Sequence, residues 1–139
     1  MVGATVYIRF QGTVPDDRGV FPGIFKLVNG LARDGRLSVE QERFRRTNND
    51  WYDAAYANPS QLDPLVYDWN HNPGAVAWFK PSAGFLFVRV PGYLEILTAH
   101  DVGYERLELS DPGRVVYEDE HQVIAVPHPT VPLPTCEGP

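Results

Sequence analysis

Proline and glycine interrupt this chain throughout its length. The 139 residues include 13 prolines and 12 glycines. Because proline removes a backbone donor and both residues break regular structure, this frequency excludes a long-helix bundle or a coiled coil. The length is typical of one domain, and 43% apolar residues supply enough material for its core. We therefore expect a single domain over residues 1–126 and an extended proline-rich tail over residues 127–139, which holds five of the prolines.

The order of the hydrophobic patterns indicates the fold class. Segments rich in β-branched and aromatic residues predict strands at residues 4–10, 75–79, 106–109, 114–118 and 122–126. Apolar residues at helical spacing predict helices over residues 22–34, 38–55 and 93–100, while residues 82–90 fit either a helical turn or a strand. This order favours an α+β fold with two to three helices and a mostly antiparallel sheet. The wholly apolar segment 75–79 is expected to be its central strand.

Charge and the lack of leader-like segments limit the partners. Twelve Lys and Arg residues against 18 Asp and Glu residues give a net charge of −6, which argues against binding to nucleic acid or to a membrane surface. The basic residues Arg43, Arg45 and Arg46 share a predicted helix with Glu42, so we expect ion pairs on a solvated face. Neither a basic leader with a long apolar run nor a membrane-length apolar segment is present, which favours a cytoplasmic protein.

Several familiar catalytic and metal-binding motifs are missing from the sequence. It contains no G-x-S-x-G, no glycine-rich phosphate loop and no G-x-G-x-x-G after a strand. The four histidines do not have the spacing of paired metal ligands, so we expect no metal site. The one cysteine, Cys136, lies in the proline-rich tail and is a poor candidate nucleophile.

Three groups of residues remain as candidates for a site. Strand alternation places Arg9 on a polar face with Thr5, Tyr7 and Gln11, where its forked guanidinium suits an anionic or planar group. The loop over residues 61–74 is rich in large polar and aromatic groups that often line sites. Its candidates for substrate binding are Tyr67, Asp68, Trp69 and His71.

The two carboxylates Glu118 and Glu120 are the candidate catalytic pair. On an extended segment they would project from the same face, and crowding two carboxylates raises the pKa of one of them. The alternative is a hairpin turn over residues 118–121 with both carboxylates in water.

Three of these segments together resemble the Arg–Ser–Glu class of ADP-ribosyltransferases. Arg9 lies on the first strand, Ser82 follows the middle strand, and Glu118-Asp119-Glu120 leads into an apolar strand. Of the family's Ser-Thr-Ser pattern, only Ser82 is present. The resemblance implies that Arg9 holds a phosphate of NAD, that Ser82 braces the nicotinamide side, and that Glu120 stabilises the positive charge developing on the ribose. NAD is expected as a cofactor only on this resemblance.

Two classes of function therefore stay open. The first is a small enzyme whose cleft for a nucleotide or another anion is lined by Arg9, residues 67–71 and the two glutamates. The second is a non-catalytic module that contacts another protein or a second copy through exposed aromatics and the tail. The orientation of Tyr52 and Tyr56, toward the tail or toward Arg9, would distinguish them.

Overall fold

A computed structural model describes residues 5–55 and 58–128 of the chain. Its strands are β1 (Tyr7–Gly12), β2 (Val76–Phe79), β3 (Tyr104–Leu109), β4 (Arg114–Glu118) and β5 (Gln122–Val126). Its α-helices are α1 (Ile24–Arg33), α2 (Val39–Ala55), α3 (Pro59–Leu62) and α4 (Val90–Ala99), and a 3-10 helix spans Pro81–Arg89. The α+β fold class is confirmed. The described helices outnumber the expected two to three, because the short α3 was not foreseen.

The five strands form one antiparallel sheet in the order β3-β1-β2-β5-β4. Strand β2 is central, as its apolar composition predicts, and pairs with β5 from Val76↔Ala125 to Phe79↔Gln122. Strand β1 joins β2 through Ile8↔Phe79 and runs along the whole of β3. Because β1 and β5 flank β2 on opposite sides, the first strand and the last hairpin are held apart by the middle of the sheet.

Strand alternation assigns the residues of β1 to two environments. Phe10 packs on the larger core, where its ring lies 5.8 Å from that of Phe87, beneath the helices. A smaller cluster on the other face contains Trp78, Val123 and Ala125. Arg9 alternates with Phe10, so its side chain leaves β1 on the face away from the helices. Arg9 therefore lies on the face of the sheet opposite the helices, the face that carries the smaller cluster.

Local hydrogen bonds determine where α1 and α2 begin. The Ser38 hydroxyl accepts from the Gln41 N–H at 3.1 Å, and the Gln41 side chain accepts from the Ser38 N–H at 2.9 Å, which confirms the expected capping box. Helix α1 begins at Ile24 and not, as expected, at Pro22. The Pro22 carbonyl accepts from the Gly12 N–H at 2.8 Å and so belongs to the loop that follows β1.

Two further expectations concern membrane-spanning segments and the proline-rich tail. No helix in residues 5–55 and 58–128 is long and apolar enough to cross a membrane. Of the tail expected over residues 127–139, only Pro127 and His128 belong to the described part. There the His128 imidazole lies 2.9 Å from the Asp111 carboxylate. The rest of the tail, residues 129–139, lies outside the described residues.

Candidate functional site

Arg9 is the best-buried charged side chain at the candidate site, with 8% of its surface exposed. Its Nε donates to the Gln11 side-chain oxygen at 2.8 Å. One terminal nitrogen donates to the Ala77 carbonyl at 3.0 Å and the other to the Phe21 carbonyl at 2.8 Å. Neighbours from β1, β2 and the loop before α1 thus fix the guanidinium in one orientation. Three of its five N–H groups are used, and all three acceptors are uncharged.

The charge of Arg9 has no carboxylate partner within the described part of the chain. Burial lowers the pKa of Arg9 to about 10, and the nearby Tyr67 opposes the shift. The guanidinium is still fully charged at neutral pH. Burying a charge without a counterion costs free energy, because lost hydration is replaced only by the dipoles of neutral groups. Arg9 is therefore a fixed, desolvated cation that lacks a counterion.

A cavity of about 380 Å³ opens beside Arg9. Two more cations line it, Arg18 from the loop after β1 and Lys26 from the first turn of α1. Its one carboxylate is Asp16, whose Oδ1 already accepts the N–H groups of Arg18 and Val20. These hydrogen bonds hold the pKa of Asp16 below its usual range. The lining as a whole is positive, with three cations and one anion.

Two aromatic side chains form another part of the cavity wall. Trp69 carries the Arg18 guanidinium over its ring, with 4.5 Å from the guanidinium carbon to the ring centroid. Tyr67 lines the cavity near Arg9, where burial raises the pKa of its phenol and the charge of Arg9 opposes that rise. Stacked guanidinium and indole groups offer planar surfaces, so the cavity combines positive charge with aromatic walls.

The beginning of α1 adds to the positive character of this cavity. Gly23 is the N-cap residue and lines the cavity, so no side chain caps the helix there. The first turn contains no acidic residue, and Lys26 lies in it. Since a helix N-terminus carries a partial positive charge, this helix start is left uncompensated by the residues around it.

Some residues selected from the sequence lie together at this cavity, and others do not. Arg9, Tyr67 and Trp69 all line it. Asp68 and His71 do not, because they pair with each other at 2.6 Å on the exposed side of the same loop. This hydrogen bond lowers the pKa of Asp68. The two residues brace the loop and are absent from the lining of the cavity.

The remaining candidates lie at the turn between β4 and β5. Glu118 forms an ion pair with Lys80 at 2.6 Å, and Glu120, 83% exposed on its side chain, lies 3.3 Å from His121. The Ser82 hydroxyl donates to the Glu120 carbonyl at 3.2 Å. The turn itself is the hairpin alternative, closed by the Asp119 N–H to the Gln122 carbonyl. Neither glutamate nor Ser82 lines the cavity at Arg9.

The aromatic residues expected to distinguish the two classes of function do not do so. Tyr52 is a core residue whose hydroxyl donates to the Leu86 carbonyl. Trp51, its neighbour, lies beneath the Arg89 guanidinium at 4.2 Å. Tyr56 lies outside the described residues. Contact with another protein through the tail or exposed aromatics stays a prediction.

One partner of Arg9 and two cations of the cavity lining were not selected from the sequence. Gln11 was assigned to the face of Arg9, and that alternation could have identified it as a partner. Arg18 lies in a Pro/Asp/Gly turn and Lys26 on an exposed helix face, and no local pattern distinguishes either from an ordinary surface cation.

The described residues contain no group of three or more His, Cys, Asp or Glu side chains able to hold a metal ion. The hydrogen-bond donors that line the cavity are instead cationic or neutral, which suits an anion.

Comparison with known proteins found no matching family model, no matching curated protein and no matching solved structure.

Proposed function

We propose that this protein binds a small anionic ligand in the cavity at Arg9. The observation that carries the proposal is a buried guanidinium, oriented by three neutral acceptors, with no carboxylate partner in the described chain. A phosphate or carboxylate group would supply the missing counterion. Such a ligand would accept from the two N–H groups that Arg9 does not use within the protein.

The other charged groups in the lining support the same ligand class. Lys26 and Arg18 are exposed and adjoin the cavity, so they can attract an anion before it reaches the buried Arg9. The net charge of the chain is −6, so this positive cavity runs against the overall balance. A local excess of cations in an acidic protein supports selective attraction of anions to one place.

The proposal is limited to binding because the cavity offers no free carboxylate for chemistry. ADP-ribosyl transfer would need a glutamate beside the ligand held by Arg9, and Glu118 and Glu120 are absent from the lining. Asp16, the carboxylate that is present, is engaged by two backbone N–H groups. Transfer from NAD stays a prediction of the sequence resemblance, and NAD belongs among the ligands to be tested.

Isothermal titration calorimetry with phosphate, pyrophosphate and NAD tests the proposal. Arg9→Gln should weaken binding of the anion that binds wild type by roughly ten- to a hundred-fold, the loss expected for one or two charge-assisted hydrogen bonds. Arg36→Gln removes an exposed cation outside the cavity lining and should bind like wild type. Circular dichroism confirms that each variant is folded.

Two results would overturn the proposal. One is a wild-type protein that binds none of the three anions at millimolar concentration. The other is a folded Arg9→Gln variant with unchanged affinity. If Arg9→Gln does not fold, Lys26→Gln provides the second measurement, because this exposed side chain can be changed without disturbing the core. Wild-type affinity in Lys26→Gln would then count against a cationic site.

A further inference from the structure

A second cavity of about 370 Å³ continues the one at Arg9. The residues that belong to both linings are Arg18, Val20, Phe21, Trp69, Gly74 and Val76. The stacked pair of Arg18 and Trp69 therefore stands where the two cavities meet. Together they form one groove with a cationic end at Arg9 and a far end of different chemistry.

The far end of the groove is apolar with one amide. Trp78, Leu107 and Leu109 line it. Gln11 lines it too, and 8% of the surface of this residue is exposed. These apolar side chains offer no charge to a phosphate, whereas an apolar or aromatic group would bury surface against them.

The orientation of the Gln11 amide follows from its contact with Arg9. A guanidinium only donates, so the atom 2.8 Å from the Arg9 Nε must be the amide oxygen. The amide nitrogen of Gln11 is then left with two N–H groups, and it has no hydrogen-bond partner among residues 5–55 and 58–128. This nitrogen is not fully buried, and Gln11 lines the groove, so its N–H groups are available to a ligand there. This end of the groove therefore suits a group that can accept a hydrogen bond.

We propose that the ligand of this groove is an aryl or heteroaryl anion that carries a hydrogen-bond acceptor on its ring. This inference rests on the proposed function, since Arg9 binds the anionic group. The planar ring lies beside the Trp69 indole in the second cavity, and its acceptor receives a hydrogen bond from the Gln11 amide. We infer a planar ring because the stack of Arg18 on Trp69 presents flat surfaces to the groove.

Four phosphates of graded structure test the inference by calorimetry: inorganic phosphate, cyclohexyl phosphate, phenyl phosphate and 4-acetylphenyl phosphate. We expect phenyl phosphate to bind wild type at least ten-fold more tightly than inorganic phosphate, and more tightly than cyclohexyl phosphate. A ten-fold gain in affinity corresponds to about 1.4 kcal/mol, which lies within the range that stacking on an aromatic side chain supplies. The acetyl oxygen should add a further gain.

Two variants assign these gains to residues, and each is read as a ratio of affinities within one protein. Trp69→Leu should bring the ratio of phenyl phosphate to inorganic phosphate close to one. Tyr104→Leu, which changes an aromatic residue of the same 37% exposure outside the groove, should leave that ratio unchanged. Gln11→Met should remove the gain from the acetyl group, and any effect on Arg9 cancels in the ratio.

The outcomes separate this inference from the proposed function. If inorganic phosphate binds and the phenyl ring adds nothing, or if cyclohexyl phosphate binds as well as phenyl phosphate, the aryl site is overturned and the anion site stands. If the ring effect survives Trp69→Leu, the placement beside Trp69 is wrong. If no phosphate binds to wild type, the anion site itself fails.

Discussion

Replacing Gln11 by glutamate gives Arg9 the counterion that it lacks. The amide oxygen of Gln11 already lies 2.8 Å from the Arg9 Nε, so Gln11→Glu places a carboxylate oxygen there with almost no change in shape. We expect this variant to be more stable than wild type and to bind anions at least ten-fold more weakly. The same charge that stabilises Arg9 would repel a phosphate from the cavity.

The size of the stability gain follows from the burial of Arg9. Its pKa falls from 12.5 to about 10, and this difference corresponds to about 3 kcal/mol of destabilisation of the charged form in the folded state. A carboxylate cannot recover all of it, because the new group is itself desolvated. We expect a net gain of about 1–2 kcal/mol, or a rise in Tm of roughly 5 °C for a domain of this size.

The pH dependence of the gain has a definite sign. In Gln11→Glu, Arg9 lowers the pKa of the new carboxyl group in the folded state below its unfolded value of about 4.3. The added stability is therefore fully present above that unfolded value and is lost as the pH falls through the folded one. Denaturant unfolding of the variant and of wild type at neutral pH and in acid measures this difference directly.

A matched variant distinguishes charge from shape. Gln11→Met keeps the length of the side chain but removes the oxygen, so the Arg9 Nε loses its acceptor. We expect this variant to lose about 1–2 kcal/mol and to retain phosphate binding. If Gln11→Glu is less stable than wild type at neutral pH, Arg9 does not gain from a counterion and the reasoning is wrong. If Gln11→Glu binds phosphate with unchanged affinity, phosphate does not bind beside Arg9.

Three further experiments test the fold. Amide hydrogens of Val76–Trp78 should exchange among the slowest in the protein, because β2 is the central strand, and rapid exchange by mass spectrometry would contradict this. Gly113→Ala should cost more than 2 kcal/mol in denaturant unfolding, since φ is +128° and a Cβ would lie 2.0 Å from the Val126 carbonyl oxygen, whereas Gly84→Ala, with open space around it, should be near neutral. Hydrogen bonds from its arginine partners lower the pKa of Glu42 to about 2, so the stability that the Glu42 carboxylate adds is lost as the pH falls from about 4.5 toward 2. Glu42→Gln should therefore reduce the loss of unfolding free energy over this acid range. An unchanged loss over this range would contradict it.

The sequence alone determined those features that depend on near neighbours. The capping box at Ser38, the pairing of Glu42 with Arg45 and Arg46, and the hairpin turn after Glu118 all join residues at most four positions apart. The α+β class and the central position of β2 could also be read from composition and order. Local propensity and periodicity act over short distances, so they are visible in any one segment.

The candidate site depends on contacts between distant segments. Alternation identified the polar face of Arg9, but the carbonyl acceptors of its guanidinium lie 12 and 68 residues along the chain, and nothing local shows the lack of a carboxylate. The order of strands placed Arg9 and Glu120 at different parts of the sheet, although sequence order alone was compatible with one cleft. Which charges meet, and which stay buried without a partner, was decided by tertiary packing, because burial and pairing are properties of residues that meet only in the folded chain.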